Sequence, residues 1–228
     1  QEAGLKTHSK EVITSGVFFD SDNDGLLDLF ITSFADLSQA PKNKKLQFPE
    51  DFPGGVNHFY RNNGDGTFTE QTKEAGFSLE RARNRSVTIS DFNNDFYVDL
   101  VISRDGLQPV IFLGNGESRF INHIPKISME VNFPISLSAT TADFNHDGNL
   151  DLLLWTEESP RIYLNDGFGN FSLLQDPLGL FNSRGSQTRG IATDVNFDGS
   201  DDLIITDLDG TRILINDSGR GFYSSSHY

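Results

Sequence analysis

One nine-residue pattern occurs four times in the chain, and every other feature hangs between its copies. The copies are Asp20–Asp28, Asp91–Asp99, Asp143–Asp151 and Asp194–Asp202. Oxygen-bearing side chains stand at positions one, three, five and nine. Gly occupies position six in three copies (Gly25, Gly148, Gly199), with Phe96 in the other. Short carboxylates and amides at alternate positions of a tight loop converge on a point. A hard cation that takes about six to eight oxygens suits such a cage, so the expected ligand is Ca²⁺ at about four sites. Position seven varies freely (Leu26, Tyr97, Asn149, Ser200), as it would if only its backbone carbonyl were used.

An EF-hand loop opens in the same way but needs a glutamate at position twelve and flanking helices. Here position twelve is Ile31, Ile102, Leu154 or Ile205, none of which can bind metal. Each copy runs instead into a short apolar segment: Leu29–Thr32, Leu100–Ser103, Leu152–Trp155 and Leu203–Thr206. These runs are aliphatic and aromatic and end at turn residues, which is the signature of buried strands. The loop is therefore expected to join two strands.

Small residues precede each loop (Thr14–Val17, Arg85–Thr88, Ser138–Thr141, Arg189–Ala192), as suits a strand crowded near an axis. A third strand follows at His58–Tyr60, Val110–Leu113, Arg161–Leu164 and Arg212–Ile215. Next come turns rich in Gly, Asn and Asp, which tolerate positive φ and make tight hairpins. A fourth strand opens at Phe68, Phe120, Phe171 and Phe222. Four antiparallel strands per repeat, each sheet burying both faces against its neighbours, predict β-propeller blades in an all-β chain. The repeats fall at about 1–72, 73–125, 126–176 and 177–228.

The first interval between loops is about twenty residues longer than the others, and the surplus lies at 35–55, between the second and third strands. By strand alternation it emerges opposite the loops. Its prolines and Lys42, Lys44 and Lys45 make it a candidate recognition surface as well as a plain solvated excursion. Glu2-Ala3-Gly4-Leu5 matches Glu74-Ala75-Gly76-Phe77, and Phe222–Ser226 matches Phe68–Thr72, so the chain is cut at one point in its repeat cycle. A closed small ring, a part of a larger propeller and a head-to-tail array all fit that phase.

Charge follows the same organisation. Net charge is −15, and 13 of the 33 acids are the metal-facing Asp of the four loops. What remains is nearly balanced by 18 Lys and Arg, so the acidity belongs to the loops rather than to a disordered tail. No basic stripe points to nucleic acid. With no cysteine there is neither a disulfide framework nor a thiol site. No apolar run reaches the roughly 18 residues of a membrane span. Modest-affinity calcium loops fill where calcium is abundant, which favours a secreted or cell-surface location, and the absence of a leader pattern at Gln1 fits a processed product.

With these features in place, the four loops and blades resemble FG-GAP/VCBS repeats, the blades of the integrin α-subunit propeller. Asn57–Glu70 (Asn-His-Phe-Tyr-Arg-Asn-Asn-Gly-Asp-Gly-Thr-Phe-Thr-Glu) with Glu74–Phe77 is similar to the cartilage acidic protein and UnbV-like branch. The resemblance covers essentially the whole chain. It implies calcium ligands at Asp20, Asp22, Asp24 and Asp28; at Asp91, Asn93, Asp95 and Asp99; at Asp143, Asn145, Asp147 and Asp151; and at Asp194, Asn196, Asp198 and Asp202. Family propellers usually have more blades than four. Phe96, where the others carry Gly, is expected to cost about 1–2 kcal/mol if the position is left-handed, making the second site the weakest.

No nucleophile elbow, phosphate loop or zinc motif is present, and the five histidines share no metal or triad spacing, so the chain reads as non-enzymatic. Trp155, the sole tryptophan, reads as packing rather than as a sugar platform. Asn84, Asn170 and Asn216 match the N-glycosylation pattern. The leading expectation is an extracellular calcium-binding module for adhesion to, or recognition of, a protein or glycan. The alternatives are a structural subunit of a fibre or surface assembly, with possible head-to-tail self-association, and an accessory domain of a carbohydrate-active enzyme.

Overall fold

The computed structural model describes residues 3–5, 10–41, 45–77, 80–123, 133–176, 179–182 and 188–225. Among these residues are sixteen strands in four antiparallel sheets, each in simple sequence order. The first sheet holds β1 (Glu11–Phe19), β2 (Asp28–Asp36), β3 (His58–Asn62) and β4 (Phe68–Glu70). The second holds β5 (Asn84–Ser90), β6 (Asp99–Arg104), β7 (Val110–Gly114) and β8 (Phe120–His123). β9 (Ser136–Ala142), β10 (Asp151–Thr156), β11 (Arg161–Asn165) and β12 (Phe171–Leu173) form the third. The last comprises β13 (Arg189–Thr193), β14 (Asp202–Asp207), β15 (Gly210–Asn216) and β16 (Phe222–Ser224). These are the blades the repeats imply.

The core lies between the sheets. Phe19, Phe30, Phe59 and Phe77 of the first sheet and its following turn meet Val87, Leu100, Ile102, Phe112 and Phe120 of the second. Val101 and Ile111 face Leu152, Leu154 and Tyr163 across the next junction, and Leu153, Trp155 and Ile162 meet Leu203, Ile205 and Leu214 across the last. Trp155 is packing: its ring is buried and lies over Gly190, where a Cβ would come within 2.3 Å of the indole. That close approach is the physical reason for the small residues of the innermost strand.

The four sheets do not close into a ring. Among the described residues, each end sheet carries exposed apolar side chains on its outer face. On the fourth sheet Ile191, Ile204 and Ile213 stand directly opposite one another, with Ile215 and Tyr223 beside them on the same face. Ile204 and Ile213 match Leu153 and Ile162 of the third sheet, which are wholly buried under the next blade. By contrast Ile191 is 55% and Tyr223 52% exposed. On the first sheet Phe18, Leu29 and Tyr60 align across the strands, and Phe18 is exposed.

The segment after β2 is more than a solvated excursion. Asp36 N–H donates to Pro53 O at 3.0 Å, Phe48 packs on Phe34 and Phe52, and Arg83 donates to Pro49 O at 3.0 Å. Gly55 bridges Ala82, and Arg81 pairs with Asp36 at 2.9 Å. It thereby ties the first sheet to the second. Lys42, Asn43 and Lys44, part of the candidate recognition surface, lie outside the described residues. The repeat phase read from the termini has a structural counterpart: Ala3 O accepts from Phe68 N as Ala75 O accepts from Phe120 N. Among the described residues, no helix is long and apolar enough to cross a membrane.

Candidate metal centre

All four Asp loops lie between the first and second strands of their sheets, hence at one end of the blades. Each is built by the same bonds. The position-one carboxylate accepts the amide of position five at 3.2 Å in every copy, and its second oxygen accepts the amide of position six at 2.8–2.9 Å. The position-five carboxylate accepts the amide of position seven, from Leu26, Tyr97, Asn149 and Ser200, at 2.8–2.9 Å. These Asx-type turns aim Asp20, Asp91, Asp143 and Asp194, and Asp24, Asp95, Asp147 and Asp198, into the loop.

Two positions of each loop are left-handed. Position six has φ of 84°, 87° and 89° at Gly25, Gly148 and Gly199, and 68° at Phe96. Position four is left-handed as well, at Asn23, Asn94, His146 and Phe197. Phe96 and Phe197 are 91% and 92% exposed, so neither recovers its strain by burial. The pair of asparagines at position four was the available sequence signal for that second constraint.

Position nine behaves differently from the rest. Asp99 accepts Phe92 N–H at 2.8 Å on one oxygen and Gly114 N–H at 2.9 Å on the other. Asp151 does the same with Phe144 and Asn165, Asp202 with Val195 and Asn216, and Asp28 with Ser21 and Asn62. All four are buried. They clamp the back of the loop to the third strand. Burial pushes the Asp99 and Asp151 carboxyls up to about 6 against the amide bonds, and the neighbouring loop carboxylates push them further. Asp28 is raised as well, again first by burial.

The first loop gathers three acids at positions one, three and five. Asp20, Asp22 and Asp24 each offer a carboxylate oxygen within 4.8 Å of the others. Asp22 Oδ1 is buried with no hydrogen-bond donor on it, an orphaned anionic oxygen that a cation would satisfy. This donor set, hard and anionic and backed by a buried carboxylate, fits Ca²⁺. In the other loops Asn93, Asn145 and Asn196 donate from Nδ2 to the position-five carboxylate at 2.8–2.9 Å, while their Oδ1 accepts the position-five amide.

Side chains read as variable or as turn formers turn out to link the loops. Asn94 donates to Asn149 at 2.8 Å, His146 Nε2 meets Ser200 Oγ at 2.7 Å, and Ser21 Oγ meets Ser118 Oγ at 2.6 Å. Asn165 donates to Phe92 O of the preceding blade's loop and to Leu150 O of its own. Asn216 repeats this with Phe144 O and Asp201 O. The recurrence of Asn62, Asn165 and Asn216 at the third-strand end was the signal; a turn preference alone did not show where the amide points. Asn216 and Asn84 are buried and bonded, so in the folded blade neither is a glycan acceptor.

Comparison with known proteins agrees with this architecture. The model of the FG-GAP-like repeat matches residues 20–102, 91–154 and 143–205. Human cartilage acidic protein 1 is 29% identical over 169 residues, covering 68% of this chain and 25% of that protein. Its counterpart from Xenopus tropicalis is 28% identical over 167 residues, 68% of this chain and 26% of the relative. The chain thus spans about a quarter of the curated relatives it matches. Among solved structures, an Agrocybe aegerita lectin that recognises non-reducing terminal N-acetylglucosamine superposes with a TM-score of 0.52 at 17% identity, covering 94% of this chain and 64% of the lectin. The Vibrio cholerae biofilm matrix protein Bap1 gives 0.51 at 16%, covering 95% and 31%. At such identities the likeness is one of fold.

Proposed function

The chain belongs to the FG-GAP-like repeat family, and from that premise we propose that it is a calcium-stabilised, non-enzymatic recognition module that acts outside the cell on a protein or glycan partner. The observation that carries this reading is the common bonding scheme of the four loops, which holds acidic oxygens together at one end of every blade. Such crowding is repulsive without a cation, so calcium contributes to folding. Positions one, three and five and the position-seven carbonyl would hold it, with the position-nine carboxylates lending charge from behind. The loop acids that would otherwise suggest a glycosidase pair are already engaged in shaping the loops.

The test is binding of the purified chain to glycan and protein arrays, in calcium and in chelator, with a glycoside-turnover assay alongside. Calcium-dependent binding without turnover is expected. Turnover by this chain alone would overturn the reading.

The exposed Ile191 and Phe18 on the two end sheets favour a second reading, in which the blades stack on further blades of the same kind. Ile191, Ile204 and Ile213 at one end, and Phe18 and Leu29 at the other, occupy positions that are blade-to-blade contacts elsewhere in the chain. A heterologous contact between such faces closes a ring or propagates. Light scattering that gives a monomer at every concentration removes the self-assembly form of this reading.

A further inference from the structure

Two departures of the first blade from the other three are joined in the structure. Position three is Asp22 where the others have Asn93, Asn145 and Asn196. The last residue but one of the third strand is Arg61, where its counterparts are Leu113, Leu164 and Ile215. Arg61 reaches across β3 into the loop. Its Nη2 pairs with Asp22 Oδ2 and donates to Asp24 Oδ2 at 3.1 Å. In the other loops that same position-five oxygen receives its N–H from the position-three asparagine. Arg61 therefore supplies the donor that Asp22 cannot, and its charge offsets the extra carboxylate.

We propose that Arg61 is a tethered cation that closes the first loop and competes there with calcium, making this loop the last of the four to fill. The inference rests on the calcium reading given above. In the second, third and fourth loops, entry of a divalent cation requires a neutral amide to turn. In the first loop a guanidinium must leave two carboxylates, and it then remains beside a second cation of like sign. The orphaned Asp22 Oδ1 and the equally unpartnered, buried Arg61 Nε show that the internal pair satisfies this loop incompletely, so a metal can still displace it. Strain at Phe96 does not reverse the order. Its φ of 68° belongs to the folded backbone, so it is a cost of folding and not of binding. The first loop thus ranks below the second, against the order that the Phe96 substitution alone implies.

The experiment is a calcium titration of the whole chain followed by the backbone amide resonances of Gly25, Phe96, Gly148 and Gly199, one per loop. In the wild type, Phe96, Gly148 and Gly199 are expected to shift first and Gly25 only at calcium at least about tenfold higher. In Arg61→Leu, which copies the other blades, Gly25 is expected to shift with or before the rest. Arg61→Gln keeps a polar side chain and tests the same point should the leucine variant fold poorly. Gly25 moving in step with the others in the wild type, or lagging equally in a folded Arg61 variant, overturns the proposal. If no loop amide responds in any variant, the calcium reading itself has failed, a result distinct from failure of the Arg61 competition.

Discussion

Asn165 offers the sharpest test of how the blades are held together. Its side chain is buried and makes four hydrogen bonds: Nδ2 to Phe92 O at 2.8 Å and to Leu150 O at 3.0 Å, and Oδ1 from the amides of Gly167 and Gly169 at 3.2 Å each. Truncation to alanine removes all four and leaves two carbonyls and two amides to find water in a closed space. A buried polar group left unsatisfied costs about 1–3 kcal/mol. Some of these groups will rehydrate, because the turn at Gly167–Gly169 borders exposed residues, so a net loss of about 3–4 kcal/mol is expected rather than the full sum. The assay is urea unfolding followed by Trp155, the single tryptophan, which reports the junction of the third and fourth sheets. Because Phe92 O and Leu150 O belong to the second and third loops, the variant should also weaken calcium binding there. A loss under about 1 kcal/mol, with unchanged calcium affinity, would refute the view that this amide couples neighbouring blades.

Other perturbations probe separate parts of the account. Gly190→Ala would place a methyl within 2.2 Å of Ile204 O and 2.3 Å of the Trp155 ring, and overpacking of this kind costs about 1–3 kcal/mol; an unchanged denaturation midpoint and unchanged Trp155 emission would contradict that packing. Phe96→Gly relieves left-handed strain of about 1–2 kcal/mol against a smaller entropic cost, so a gain of about 0.5–1 kcal/mol is expected in urea unfolding. A destabilised variant would show that the exposed ring has a partner on the protein. Asp99 and Asp151 have folded values of about 6 against 3.8 when unfolded. Between these values the native state holds the extra protons, so in chelator stability should fall as pH rises through this window, relative to an Asp99→Asn/Asp151→Asn variant. The difference should be on the order of 3 kcal/mol per carboxyl, and a flat difference curve would refute it.

Much of this architecture is legible in the sequence, because its signals are periodic. Four copies of one acidic pattern, each followed by an apolar run such as Leu152–Trp155, leave little freedom in strand order. What escaped reading depends on where a side chain points in three dimensions. Asn165 and Asn216 look like turn residues until their amides are seen to reach the preceding blade's loop. His146 sits at a position that varies between copies, yet it bonds Ser200 of the next loop. Arg61 lies outside the nine-residue pattern, so its pairing with Asp22 emerges only when β3 is placed beside the loop. The segment after β2 was ambiguous for a different reason: proline and lysine mark an exposed path, and nothing in composition told of Phe48 returning to Phe34.

The central claim is that cations in these loops hold the blades in register, and thermal unfolding in saturating calcium against excess chelator addresses it most directly. At about 100 times the dissociation constant, each filled loop contributes about 2.7 kcal/mol. For a chain of this size each kcal/mol raises the midpoint by about 2–4 °C. Three or four filled loops therefore predict a midpoint at least about 10 °C higher in calcium. Superimposable melting curves in the two conditions would contradict the account.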